Sequence, residues 1–237
     1  MSKALTLARR ELTAYFFSPI AYIIGAGFLL LTAGWFFINL EVGGEASLRP
    51  LFDAMAVLMV LAVPLMTMGL ISKEFDSGTI ETLMTSPVTD TEVIVGKFVG
   101  VMIFYLALLA ATLVFLGLMA AFGRPDPGVA VMGYVGMILL GAAYVSVGIF
   151  ASTLTRHQII AAIVAIGLLG FFVLLMGMVV QLGIRPWADL AAQLNAMTYF
   201  REFSRGVFDS RGLIYFLSAT GLFLFLSVKT LESRRWR

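Results

Sequence analysis

Six long apolar runs, at about residues 20–40, 54–72, 98–122, 131–153, 159–182 and 212–229, alternate with polar segments. Each reaches about 18 residues or more, the length that crosses a bilayer as an α-helix. A run of about 21 residues at about 1.5 Å per residue extends about 31 Å, enough for a hydrocarbon core. The pattern predicts an all-α, polytopic membrane protein with six transmembrane helices, residues 1–237 forming a single transmembrane domain. Pro64 lies inside the second run. It predicts a kink and a freed carbonyl, which membrane helices tolerate. The first run is too long for the apolar region of a signal peptide, and no small-residue cleavage site follows it. It is therefore expected to be retained.

The polar segments carry their own periodicity. Over residues 3–17, Leu5, Ala8, Leu12, Tyr15 and Phe16 share one helical face, while Lys3, Arg9, Arg10 and Thr13 fall largely elsewhere. This predicts a short basic amphipathic helix in the interface plane. Ser18-Pro19 ends it and starts the first span, with Ser18 as N-cap and Pro19 at the first helical position. In the link after the second span, Gly78 breaks the helix, and Thr79 to Thr85 place Ile80, Leu83 and Met84 on one face. Ser86-Pro87 stops this element, and Thr89-Asp90-Thr91-Glu92 has the spacing of a capping box that opens the third span. The periodicity alone leaves two readings: an ordinary amphipathic link, or a docking knob for a partner. The segment 183–212 predicts two short external helices, on the outer surface or dipping into it. In the second, Phe200, Phe203 and Val207 lie on one face, with Arg201, Glu202 and Arg205 on the other. Gly123 to Gly128 is an irregular turn.

Composition removes many functions. The chain is 60% hydrophobic and 13% charged, with no Cys. That excludes disulfides, thiolate metal sites and a Cys nucleophile. Asp, Glu, Lys and Arg are missing from the interiors of the six runs; Asp53, Lys97 and Lys229 sit at or near run ends. An ion-driven carrier usually needs a charged relay in its spans, so this class is disfavoured. There is no phosphate-binding loop: Gly96-Lys97 lacks the upstream glycine and the following Ser or Thr. His157 stands in a short turn without a carboxylate partner close in sequence. No nucleophile–base pair or metal cluster is evident, and nothing points to nucleic acid. Lys and Arg divide ten against six between the two sides, with Lys3, Arg9, Arg10, Lys73, Lys97, Arg156, Lys229, Arg234, Arg235 and Arg237 on one of them. Both termini are therefore expected in the cytoplasm.

Four stretches resemble the permease subunits of ABC-2 type ATP-binding cassette transporters. They are Arg9-Arg10-Glu11-Leu12 through Tyr22; Glu74 through Leu83 with Ser86-Pro87 and Gly96-Lys97; Phe203 to Asp209; and Leu231 to Arg237. The second is the most specific. The first and third are similar to the permease subgroup associated with gliding motility. The resemblance implies that residues 3–17 are a connecting helix. It implies that 74–86 include a coupling helix docking on a separate cytoplasmic ABC ATPase, and that external helices over 187–208 cover the path. It carries ATPase-coupling roles onto Glu74, Gly78, Thr79 and Glu81, and onto Arg9, Arg10 and Glu11. It further implies two ATPase copies, which hold ATP and Mg. A second permease chain, identical or related, would complete the complex in the bacterial inner membrane. On this reading the chain is not an enzyme and holds no cofactor of its own. Its substrate is not written in the sequence. The alternative is a non-transporting subunit that passes ATP-driven motion to an envelope machine or extracytoplasmic partner.

Overall fold

The computed structural model describes the backbone of residues 3–39, 47–78, 89–123, 125–183 and 185–235. The described residues form helices and connecting turns, without strands. Six stretches are long and apolar enough to cross a membrane, which makes this a multi-pass membrane protein. In chain order the helices are α1 (Lys3–Phe16), α2 (Pro19–Ile38), α3 (Arg49–Thr67), α4 (Ser72–Asp76), α5 (Asp90–Ala111) and α6 (Leu113–Phe122). There follow α7 (Pro127–Leu154), α8 (Gln158–Gly170), a π-helical turn (Phe171–Leu175), α9 (Met176–Leu182), α10 (Trp187–Leu194), α11 (Ala196–Ser204) and α12 (Ser210–Arg235). The third span joins α5 to α6, and the fifth runs from α8 through the π turn into α9.

The fourth span, α7, is the centre. It is 72% buried over its most apolar window, against 28% for the first span, 33% for the fifth and 17% for the sixth. Small residues along it let neighbours approach closely, as packing in lipid favours. A Cβ at Gly133 would stand 2.2 Å from the Phe52 ring, and one at Gly148 2.0 Å from Thr67 Oγ1. Gly148 thus faces the end of α3.

Several local signals act as their chemistry suggests. Thr89 Oγ1 accepts from the Glu92 amide at 3.2 Å, and the Thr89 amide donates to Glu92 Oε2 at 2.9 Å, a complete capping box. Ser18 precedes α2 but makes no capping bond. Pro19, with its fixed φ, sets that start. Helix α3 continues past Pro64 and ends at Thr67; Met68 to Ile71 form a turn before α4, and the second span comprises all three.

The segment between the fifth and sixth spans re-enters the bundle. Phe200 and Phe203 of α11 are fully buried, and a Cβ at Gly136 would lie 2.6 Å from Phe203 Cβ. Gly136 is nine residues along α7 from Pro127, or about 14 Å at 1.5 Å per residue. Val207 departs from the expected face. α11 ends at Ser204, Gly206 adopts φ +84°, and Val207 is left exposed beyond that turn.

Candidate functional site

Among the described residues, Lys97 is the charged residue that is fully buried. The capping box fixes the start of α5 at Asp90, so Lys97 stands two turns inside the helix, where it is 1% exposed. A buried ammonium is costly unless paired. Lys97 Nζ donates to Glu11 Oε1 at 2.7 Å and to Glu74 Oε1 at 2.7 Å. Glu11 belongs to α1 and Glu74 to α4, so one lysine ties three elements together.

Packing places each carboxylate. α1 lies along α5, and Gly100 makes this possible. A Cβ there would sit 2.8 Å from Glu11 Cβ and 3.1 Å from the Ala8 carbonyl. Tyr15 stacks on Phe104 with ring centroids 5.2 Å apart. Its hydroxyl donates to the Met66 carbonyl at 2.5 Å, which pins α1 to the end of α3. Burial, reinforced by the negative charge of Glu11, raises the Tyr15 phenol above its ordinary range, so it remains a donor.

Glu74 is positioned by the turn that precedes it. Ser152 Oγ of α7 accepts from the Ile71 and Ser72 amides at 3.0 and 3.1 Å and donates to the Met68 carbonyl at 3.0 Å. The Ser72 hydroxyl also donates to the Met68 carbonyl. Backbone groups freed where the helix is broken are thereby satisfied inside the bundle. Next to Glu74, the Phe75 ring lies under the Arg234 guanidinium of α12, 4.7 Å from its centroid. Arg234 also donates to the Leu154 carbonyl at the end of α7. The short helix α4 is thus held by α5, α7 and α12 together. Glu74 Oε2 is buried without a hydrogen-bond partner among the described residues.

The residues singled out by sequence divide into four groups. Glu11 and Glu74 meet at Lys97. Arg9 and Arg10 lie on the exposed side of α1, away from it. Gly78 is exposed with φ +70°, a left-handed conformation that favours glycine and turns the chain out of α4. Thr79 and Glu81, with most of the expected coupling helix, lie outside the described residues. Sequence reasoning missed Lys97, Ser152 and Arg234 as a set. The signal for Lys97 was present in its count from the capping box.

This geometry offers no nucleophile with a base. Its chemistry is mechanical: an ion-paired, hydrogen-bonded junction where displacement of one short helix is felt by four longer ones. A family model described as "ABC-2 family transporter protein" matches residues 6–228. That is nearly the whole chain, and the chain belongs to this family. No curated protein matches it.

Proposed function

We propose that this ABC-2 family chain is the permease subunit through which a separate cytoplasmic ABC ATPase drives transport, in export or another envelope-related process. The Lys97 junction carries the reading. A partner that moved the segment 74–86 would act on Glu74, and through Lys97 on α1 and α5 at once. The same end of the bundle holds the larger share of Lys and Arg, which supports a cytoplasmic location for it and for both termini. Glu74, Gly78, Thr79 and Glu81 then take the docking role, and Arg9, Arg10 and Glu11 face the same partner. ATP and Mg belong to two copies of that partner. A second permease chain, identical or related, completes the path. The likeness of residues 9–22 and 203–209 to gliding-motility-associated permeases belongs to this reading.

The test is ATP hydrolysis by the chain purified with its ATPase, with the ATPase alone as baseline. Glu81→Arg is expected to abolish assembly or permease-dependent stimulation. Lys97→Met is expected to leave the complex assembled and lower stimulation about tenfold, the effect of losing roughly 1.4 kcal/mol of coupling. Wild-type stimulation in both variants, or uptake driven by an ion gradient with no ATPase present, defeats the reading.

A further inference from the structure

The end of the bundle opposite the Lys97 junction holds an acid without comparable partners. Asp53 lies one turn into α3, 14 residues before Thr67, or about 21 Å along the helix at about 1.5 Å per residue. Its side chain is half-buried, and Oδ1 is buried with no hydrogen-bond partner among the described residues. The cations whose charge reaches it are Arg201 and Arg205, at the end of α11, rather than Arg49 one turn back on its own helix. Neither closes an ion pair on it among the described residues. Arg205 is held by Glu202 at 3.2 Å, and Arg201 is exposed.

The re-entrant helix α11 packs against both α3 and α7. The missing Cβ of Gly133 admits the Phe52 ring, and that of Gly136, one turn on, admits Phe203. Asp53 follows Phe52, and Arg201 follows Phe200, so the seat that buries the rings also brings these charges together. The helix is short and sharply bounded: Asn195 caps its start, and Gly206 with φ +84° follows its end. Two effects oppose each other while α11 is seated. Burial of Phe200 and Phe203 holds it. The Asp53 carboxylate works against it, because a charge taken from water without a hydrogen bond or a close ion pair is costly. Guanidinia out of contact, on an exposed face, return only part of that cost, and burial is the larger influence on this carboxylate. Lifting α11 would return Asp53 to water and remove the cost. Segments that move are drawn from the weakly held parts of a fold, and an unsatisfied buried group is one way to store such a bias.

We propose that Asp53 is a release element for the re-entrant helix: its charge, stranded by the seated α11, biases that helix to lift from Gly136. The inference concerns the end of the bundle remote from Lys97 and does not rest on coupling to an ATPase. The chain has no Cys, so a single Ser204→Cys, at a position 2% exposed in the last turn of α11, reports lifting by its rate of reaction with a maleimide. The full chain is held in lipid nanodiscs, open to the reagent on both faces. Asp53→Asn is expected to slow labelling about five- to tenfold, the lower part of the weight of a buried unsatisfied group, because the carboxylate keeps some water. Asp53→Leu, close in size, carries the same expectation and serves if the first variant does not fold. Arg201→Gln, which removes part of the compensating field, is expected to speed labelling about twofold, and to have no effect in the Asp53→Asn background. A buried reporter on α7, Ser146→Cys, should keep its rate in every variant. The proposal is overturned if Ser204→Cys reacts no more slowly with Asp53→Asn, if it does not react beside the native Asp53, or if Ser146→Cys slows equally.

Discussion

Lys97→Met removes the charge of the junction while keeping an unbranched side chain to fill its space. In the native chain Nζ is 2.7 Å from each of Glu11 Oε1 and Glu74 Oε1. The two oxygens are therefore at most about 5.4 Å apart, twice that distance. Two unit negative charges at that separation repel by about 3 kcal/mol at an effective dielectric near 20. Stripping one partner from a buried ion pair costs about 3–5 kcal/mol. The glutamate side chains keep some solvent, at 18% and 24% exposure, so a loss near the lower figure is expected. For a chain of this size each kcal/mol moves the melting midpoint by about 2–4 °C, so the drop should be about 10 °C. The decisive feature is a change of sign. Glu74→Gln in the native background removes an ion-pair partner and destabilises. Glu74→Gln in the Lys97→Met background removes a repulsion and stabilises. Melting midpoints of the four proteins, in one detergent at one concentration, close the double-mutant cycle. A Lys97→Met midpoint within about 2 °C of the native one, or the same sign for Glu74→Gln in both backgrounds, refutes the reasoning.

Other variants probe the parts around the junction. Ser152→Ala leaves the Ile71 and Ser72 amides without their acceptor; a loss of about 1–3 kcal/mol is expected, with faster proteolysis near residues 72–78. Gly148→Ala puts a methyl 2.0 Å from Thr67 Oγ1 and should cost about 1–3 kcal/mol by overpacking, whereas Gly167→Ala, with open space around it, should not destabilise. Arg234→Ala removes the cation over Phe75 and a donor to Leu154; a stability lowered by about 1–2 kcal/mol is expected, and Arg234→Lys should restore less than half. Because the chain has no Cys, a single introduced thiol reports topology cleanly. In right-side-out vesicles a membrane-impermeant maleimide should label Asp189→Cys and not Ser77→Cys, and the reverse pattern in inverted vesicles would confirm the orientation.

The six spans were legible because a bilayer imposes a rule one residue at a time: about 20 residues without charge make a crossing. The capping box at Thr89 and Glu92 was legible for a similar reason, since all its partners lie within one turn. The external helices were half legible. Spacing placed Phe200 and Phe203 on one face, and both are buried. Val207 obeyed the same spacing but follows Gly206, where the chain leaves the helix. A periodicity argument holds only as far as the helix does, and a glycine after Arg205 was the available sign that it had ended. The re-entry of α11 against Gly136 has no local signal. It depends on a missing Cβ on a helix some 65 residues earlier in the chain.

Lys97 escaped for a deeper reason. In a reading by hydropathy, a charge marks where a span stops, so the third run begins at about residue 98. The helix begins at Asp90 instead, and the lysine is inside it. What permits a buried ammonium there is the convergence of Glu11 and Glu74 from positions 86 and 23 residues away. A window of about 20 residues sees the cost of the charge and not the partners that offset it. Resemblance did single out both glutamates, but as two separate marks on two segments. Their connection lies in a third residue whose own sequence signature reads as a boundary. A charge next to a span should therefore be counted from the nearest helix cap before it is assigned to the outside. By that count Lys97 falls two turns within α5, and an inward lysine needs acidic partners from other elements. Glu11 and Glu74, on two elements that meet α5 at this end, are those partners.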